Sequence, residues 1–424
     1  MTDVWPMRAI RYNPEVVELG ATLAPPYDVI SDVAREELYA RDLRNIVRID
    51  YGTEYPDDVP GARDRYTRAA DHLNAWLELG VLRRDAAPSF YVSEHRFTMP
   101  DGSHQVRRGL FARVRAAPWE RSDLRPHEHT LRGPKEDRLA LMRATGAQTS
   151  AVFAVWRDAP AVAGLLEEAA SGPCAARGET DGEVDVEEHR LWVVDDPASV
   201  EAIRGALGGG SLYIADGHHR YETAAAFAAE RADAGDAADA DSQFALVYLC
   251  DAGDPGISLL PTHRLLRRLP AAAFSLDDLW MRLDDGWDLE AAPDLASAAA
   301  GAAGLREVRH AFAVCSHEAS AVLSRPRRPA ASPRAALDVV VLQDEVLGPA
   351  GADERAIREG ALGYTRSIEE VVRSVAAGDA LLGFCLNPVT TGEVLAVADA
   401  GEVMPQKSTY FYPKVPTGLV LSPL

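Results

Sequence analysis

The sequence predicts a mixed α/β fold, of the α+β kind, built from more than one packed unit. Three observations predict it. Short apolar runs bounded by turn formers alternate with segments of helical period. The apolar and charged fractions, 47% and 26%, are those of a globular protein. A chain of 424 residues also exceeds what one hydrophobic core normally organises.

Residues 1–115 read as an N-terminal mixed α/β region. Pro25-Pro26-Tyr27-Asp28 is a stiff turn carrying one acid, and Ser31 or Asp32 can cap a short helix through Tyr39. Arg65 to Leu79 has the spacing of an amphipathic helix ended by Gly80. Phe90 to Phe97 and Arg107 to Val114 alternate like paired strands across Pro100-Asp101-Gly102. Residues 116–270 form a central block, with helices expected at Lys135 to Thr145, around Leu165 to Ala170, and from His219 to Ala232. Its strands are expected at Ala151 to Trp156, Leu191 to Val194, Leu212 to Ala215 and Phe244 to Cys250, and Asp233 to Asp241 reads as a polar linker. Residues 271–424 form a C-terminal α/β region. It has helices at Leu337 to Val346 and Ile368 to Ala377, strands at Leu381 to Leu386 and Gly392 to Val397, and a loop from Arg325 to Pro333.

A net charge of -21 argues against a nucleic-acid partner, because an acidic surface repels a phosphate polymer. A small phosphate ester is different: a few placed cations and backbone amides hold it against the global field. The four cysteines are scattered without a CxxC pair and read as reduced core thiols. The first ten residues carry Asp3, Pro6 and Arg8, unlike a signal peptide, and no run reaches the length of a membrane span. The cytoplasm is the expected compartment.

The segment with the most chemistry is Ile214-Ala215-Asp216-Gly217-His218-His219-Arg220. A strand that ends in a glycine turn and opens a helix aims backbone N–H groups and the positive end of the helix dipole at one spot. Gly217 permits close approach. Arg220 offers a planar fork to phosphate oxygens, and His218 and His219 add donors. Asp216 can orient a histidine or hold Mg2+. The bland alternative is a structural turn capped by Asp216.

A second cluster runs from Arg125 to Arg138 and contains His127, Glu128, His129, Arg132 and Lys135. His127 and His129 lack a third ligand at zinc spacing. Glu128 is a candidate general base or Mg2+ ligand, with Arg132 and Lys135 as phosphate holders, against the alternative of a charged solvated loop. His263 and Arg264 lie in a segment that reads as a loop returning to the site, and Lys407 and Lys414 flank hydroxyls and aromatics suited to nucleotide contacts. Walker A, GxGxxG, GxSxG and HExxH patterns are absent.

Together Arg8 to Tyr12, Ala24 to Ser31, Arg125 to Arg138, Tyr213 to Ala224, Pro261 to Leu265, Tyr364 to Arg366 and Met404 to Leu419 resemble a large bacterial and archaeal family known only as a domain of unknown function. The central block also resembles the ParB/sulfiredoxin-like superfamily, and in motif the free-serine kinases within it. Their Pro-His-Glu segment, helix and Asp-Gly-His-His-Arg stand here as Pro126-His127-Glu128 and Asp216 to Arg220. The resemblance implies a ParB/sulfiredoxin-like phosphate-binding domain over residues 116–270 and a kinase using ATP or ADP with Mg2+ on L-serine or a similar hydroxyl-bearing metabolite. It makes Glu128 the base and Gly217, His218, His219 and Arg220 the phosphate cradle. Joined to the residue readings above, the expected catalytic residues are Glu128, Asp216 and His218, and the expected phosphate and nucleotide contacts are Gly217, His219, Arg220, His127, Arg132, Lys135, Lys407 and Lys414. His129, His263 and Arg264 then face the substrate, and Glu128 and Asp216 hold the metal. The alternative is a non-catalytic phosphometabolite or nucleotide sensor. Either way the partners are small molecules, with no nucleic acid, no membrane and a homo-oligomer allowed.

Overall fold

The computed structural model of the chain describes residues 3–128, 133–267, 276–283 and 286–424. The expected site residues His129 and Arg132 lie outside the described residues. The fold is mixed α/β, as the sequence predicts. The chain divides into two compact units: residues 1–126, 130–258 and 413–424 form the first, and residues 127–129 and 259–412 form the second.

The first unit is organised by a nine-stranded sheet. Its strands are β1 (Val4–Trp5), β2 (Phe90–Thr98), β3 (His104–Arg115), β4 (Leu124–Arg125), β5 (Val152–Arg157), β6 (Ala176–Asp181), β7 (Val186–Val194), β8 (Ser211–Asp216) and β9 (Phe244–Asp251). They lie in the order β4-β8-β5-β9-β3-β2-β7-β6, with β1 beside β3. The β5/β9 and β4/β8 pairs are parallel and the other pairs antiparallel. Val152 to Trp156 is buried throughout. That burial explains why this segment reads as a continuous apolar run with no alternation.

The unit's helices include α1 (Leu19–Thr22), α2 (Arg65–Glu78), α3 (Gly133–Thr145), α4 (Ala161–Ala170), α5 (Pro197–Leu207) and α6 (His218–Asp233). Asp64 starts α2 through a capping box with Thr67, satisfying N–H groups that a helix start leaves without partners. The core between sheet and helices includes Val92, Leu110, Trp156, Leu207, Leu212, Ile214, Tyr221, Phe227, Val247 and Leu249.

The expected boundary at 115/116 falls inside this sheet. β3 pairs with β2 across the Met99–Ser103 turn and, over Gly109 to Arg115, with β9. Local periodicity cannot show that pairing, because the partner strand lies more than a hundred residues away. The last residues also return to the first unit, where Leu421 pairs with Ile10 and Ser422 with Gln148.

The second unit carries a six-stranded antiparallel sheet of β10 (His263–Leu266), β11 (Asp288–Ala292), β12 (Arg309–Cys315), β13 (Ser320–Pro326), β14 (Leu362–Thr365) and β15 (Leu382–Cys385), in the order β11-β13-β12-β15-β10-β14. Helices α7 (Leu295–Leu305), α8 (Ile368–Ala376) and α9 (Thr391–Asp399) accompany it. The expected strand at Gly392 to Val397 is therefore part of a helix. Thr390 and Glu393 form a capping box there, and this local hydrogen-bonding outweighs the β-branched content of the run. The expected helix from Leu337 begins at Asp338 and passes at Leu342 into a π-helical turn. Pro261 to Arg264 is the entry to a paired strand, not a loop.

Replacing Thr390 by Ala removes a cap and should cost about 1 kcal/mol. Urea unfolding followed by far-UV circular dichroism checks this; unchanged stability would mean that the box does not hold the start of α9.

Candidate functional site

β8 ends at Asp216, and its register against β5 shifts between Ile214 and Asp216. Gly217 then takes a left-handed conformation, φ 91° and ψ 32°, and α6 begins at His218. A side chain at Gly217 would be strained by that φ and would also meet the Arg220 guanidinium at 2.9 Å. The glycine is thus required twice, by the turn and by what lies over it.

Asp216 is a hub. One carboxylate oxygen accepts from Arg220 Nη2 at 2.5 Å, and the other accepts from Lys414 Nζ. Burial would raise the Asp216 carboxyl, but Lys414 and Arg220 outweigh it and hold it well below the usual carboxylate range. Arg220 is itself buried, and its Nη1 donates to the Ala151 carbonyl of the segment leading into β5. Burial would weaken its charge, but Asp216, Asp28, Tyr27 and Asp50 together raise its pKa above the ordinary guanidinium value. The guanidinium therefore braces the turn from within, where the sequence suggested an open fork for phosphate. Asp216 likewise serves as counter-ion to two adjoining cations. A bound Mg2+ would be repelled there, so the metal expectation for Asp216 does not fit this geometry.

The electrostatic neighbours of Arg220 show what sequence reasoning missed. The stiff turn at Pro25-Pro26-Tyr27-Asp28 acts on this residue, and burial lifts the Tyr27 phenol to about 12. Arg138 of α3 stacks over the Tyr27 ring at 4.1 Å and donates to the Asp50 carbonyl at 2.7 Å. Asp50, Arg138, Gln148, Thr149, Arg220 and Thr223 line a cavity of about 30 Å3, room for one or two waters. Asp50 Oδ2 finds no hydrogen-bond partner among the described residues. Burial raises the Asp50 carboxyl, and Arg138 and Thr149 oppose the rise. The only hint in the sequence was one acid in the proline turn.

On the outer side of α6, Glu222 collects two donors. Lys135 Nζ donates to Oε2, and Trp119 Nε1 donates to Oε1 at 2.8 Å. Trp119 also stacks on Tyr221 with ring centroids 4.7 Å apart. His218 is buried, and its ring lies 6.4 Å from that of Trp119. His219 is half-buried; burial, aided by Lys135 and Arg220, lowers its pKa against Glu222 and Asp28. Of the expected residues, the first unit thus brings Lys135, Asp216, Gly217, His218, His219, Arg220 and Lys414 to the mouth of one helix.

The remaining expected residues belong to the second unit. Glu128 Oε1 accepts from the Lys407 backbone N–H at 3.1 Å, and Lys407 takes a left-handed φ of 58°. His127 is buried, and its Nε2 lies 3.1 Å from Thr409 Oγ1. His263 and Arg264 are buried on β10. Burial pushes His263 down to about 4, and its Nδ1 accepts from the Leu386 N–H. Burial brings Arg264 down to about 10 while its guanidinium donates to the carbonyls of Thr262 and Lys407. Both side chains are turned into the unit, where strand pairing has replaced the loop the sequence suggested.

The chain belongs to the family described as "Protein of unknown function (DUF1015)", whose profile matches residues 4–340. No curated protein matches. Among solved structures the chain is similar to a conserved hypothetical protein from Pyrococcus furiosus, at 16% identity and a TM-score of 0.35, over 72% of this chain and 93% of that one. It is also similar to a free serine kinase in complex with AMP, at 15% identity and a TM-score of 0.36, over 73% of this chain and 92% of the other. SbnI with a C-terminal truncation, from Staphylococcus aureus, matches at 10% identity and a TM-score of 0.33, over 72% and 85%. Among the described residues no helix is long and apolar enough to cross a membrane.

The depressed Asp216 carboxyl fixes the sign of a pH effect. Its contribution to stability is fully present above the unfolded-state value near 4 and is lost as pH falls from there towards the folded-state value. Asp216→Asn should therefore lose about 3 kcal/mol at pH 7, because it leaves two cations without their anion, and this deficit should shrink below pH 4. Urea unfolding at both pH values decides it; a deficit that does not change with pH would show that the carboxylate charge is not what holds the turn.

Proposed function

We propose that this member of the DUF1015 family is a small-molecule phosphotransferase that holds a phosphoryl group at the mouth of α6, with ATP or ADP as donor and a hydroxyl-bearing metabolite as acceptor. Free L-serine is the first acceptor to try. The observation that carries the reading is the Asp216 clamp, which sets Lys414 and Arg220 around one carboxylate under the left-handed Gly217 turn.

A lone carboxylate at a helix mouth would repel phosphate. Here two cations face one anion, so the trio keeps a positive charge in excess just where the helix dipole adds to it. Lys135 and His219 stand on the same end of α6, with Glu222 balancing the lysine. Phosphoryl transfer asks little covalent chemistry of a protein; positioning and neutralisation of the phosphate oxygens do most of it. In this reading Gly217 and the first turn of α6 hold the oxygens, Lys414 and Lys135 neutralise them, and Arg220 keeps the turn in shape. The order Pro-His-Glu then Asp-Gly-His-His-Arg implies Glu128 as the base that takes the acceptor's hydroxyl proton. Mg2+, when bound, would spread phosphate charge, and Glu128 is the carboxylate we assign to hold it.

The solved serine kinase complexes contain AMP or ADP, which makes adenine nucleotides suitable first probes here. The likeness itself is too slight to carry the proposal; the charge arrangement carries it.

Incubating the protein with radiolabelled ATP or ADP and L-serine or related hydroxy metabolites should give labelled phosphoester. Lys414→Ala should lower turnover about 100-fold, the scale of losing one electrostatic contact to the transferring group. Glu128→Gln should lower it by orders of magnitude with an unchanged thermal midpoint. Saturable nucleotide binding without transfer in the wild-type protein would move the assignment to a phosphometabolite sensor, and full turnover by the Gln variant would remove Glu128 as base.

A further inference from the structure

Far along the sheet from α6, four neighbouring strands carry a row of polar residues on a face that is otherwise core. Arg107 of β3 pairs with His95 of β2, His95 with His189 of β7, and His189 with Gly178 of β6. Glu187 precedes His189 by two residues and so shares its face. His95, Glu187 and His189 are 3%, 8% and 1% exposed. The end of the row is closed by α1: a side chain at Gly178 would come within 2.5 Å of the Gly20 backbone nitrogen.

One ligand atom from each of His95, Glu187 and His189 can be chosen so that all three lie within 4.8 Å of one another. His95 Nε2 stands 2.7 Å from Glu187 Oε2, and the two rings are 4.3 Å apart at their centroids. His189 Nε2 lies 2.8 Å from Thr180 Oγ1. Its other nitrogen, Nδ1, is fully enclosed and has no hydrogen-bond partner among the described residues. With the hydroxyl accepting from Nε2–H, Nδ1 carries a bare lone pair, the arrangement that a ligating histidine obtains from a hydrogen-bonding partner behind it. Burial also lowers both imidazoles well below their ordinary range, which keeps them neutral. A buried ring nitrogen with nothing to bond is costly in an apolar core, and an ion would relieve that cost.

From this geometry we propose that His95 Nε2, His189 Nδ1 and a Glu187 carboxylate oxygen form a binding site for a zinc-class divalent transition ion, distinct from the helix mouth. Two imidazoles and one carboxylate suit zinc or cobalt better than Mg2+ or Ca2+, which prefer all-oxygen shells. The ion takes the place of the hydrogen that His95 Nε2 shares with Glu187, and that proton moves to His95 Nδ1, so the ring stays neutral. Arg107 is the cation that opposes it. Its Nη1 is turned onto the Pro413 carbonyl at 2.9 Å, its guanidinium faces the Phe97, Phe153 and Tyr248 rings, its Nη2 lies 3.3 Å from His95 Nδ1, and its charge also acts on Glu187 and His189. A neutral His95 that ligates through Nε2 carries its proton on Nδ1, so Arg107 Nη2 turns from that nitrogen when the ion binds.

The test uses the full chain, stripped with a chelator, dialysed and titrated with Co2+, and its readout is independent of phosphoryl transfer. One equivalent should bind, with the visible absorption of four- or five-coordinate Co2+ and a raised thermal midpoint. His189→Asn and Glu187→Gln should abolish the absorption, while His317→Asn, an exposed histidine of the second unit, should keep it. If the Asn variant does not fold, Glu187→Gln decides, since glutamine keeps the shape and a hydrogen bond to His95. Wild-type protein that takes up no stoichiometric Co2+, or a Gln variant that binds as tightly as wild type, would overturn the site and leave a self-contained hydrogen-bond relay.

Discussion

The ion-paired turn at Asp216 is the constraint from which the rest of the helix mouth follows. Two cations converge on one carboxylate, one from four residues along α6 and the other from the chain's last segment. The pairing draws the C-terminal residues onto the sheet, fixes the entry angle of α6 and requires a glycine at 217, because Arg220 occupies the space that a side chain would need. Charge, backbone conformation and chain path are therefore set together. A neutral residue at 216 would loosen all three.

The same pairing reconciles an acidic protein with an anionic ligand. The net charge of -21 rules the long-range field, but screening confines that field to about 8 Å in physiological salt. Within that distance the helix mouth is governed by Lys414, Lys135, Arg220 and the dipole of α6, and the nearby carboxylates are mostly engaged with cations. Asp50 pairs with Arg138 through Oδ1, while its Oδ2 has no hydrogen-bond partner among the described residues, beside a small cavity lined by Arg220. It sits behind the turn, where it adds to the field that keeps Arg220 charged.

Much of this was legible in the sequence. The strand, turn and helix from Leu212 to Ala232 were readable because an apolar run, a glycine and a helical period follow one another without interruption. That Lys135 and Lys414 belong near that turn could be guessed from charge and composition, and the structure brings both there. The direction in which Arg220 points was not readable. A guanidinium beside a glycine turn looks like a ligand fork until the Ala151 carbonyl, sixty-nine residues earlier, is known to lie beneath it. His263 and Arg264 were misplaced for a related reason. Their segment looks like a loop by composition, but β14 and β15 flank it on both sides. The meeting of His95 with His189 left no local mark either, since strand register alone joins residues that lie far apart in the chain.

The most direct measurement is of the amides themselves. With 15N-labelled glycine and histidine in the full chain, titration with ADP should move the Gly217, His218 and His219 resonances saturably and along one binding curve. The movement should weaken as salt rises, as binding governed by charge requires. Saturation of the largest shifts at residues away from 216–220, or no shift at all at Gly217, would contradict the account.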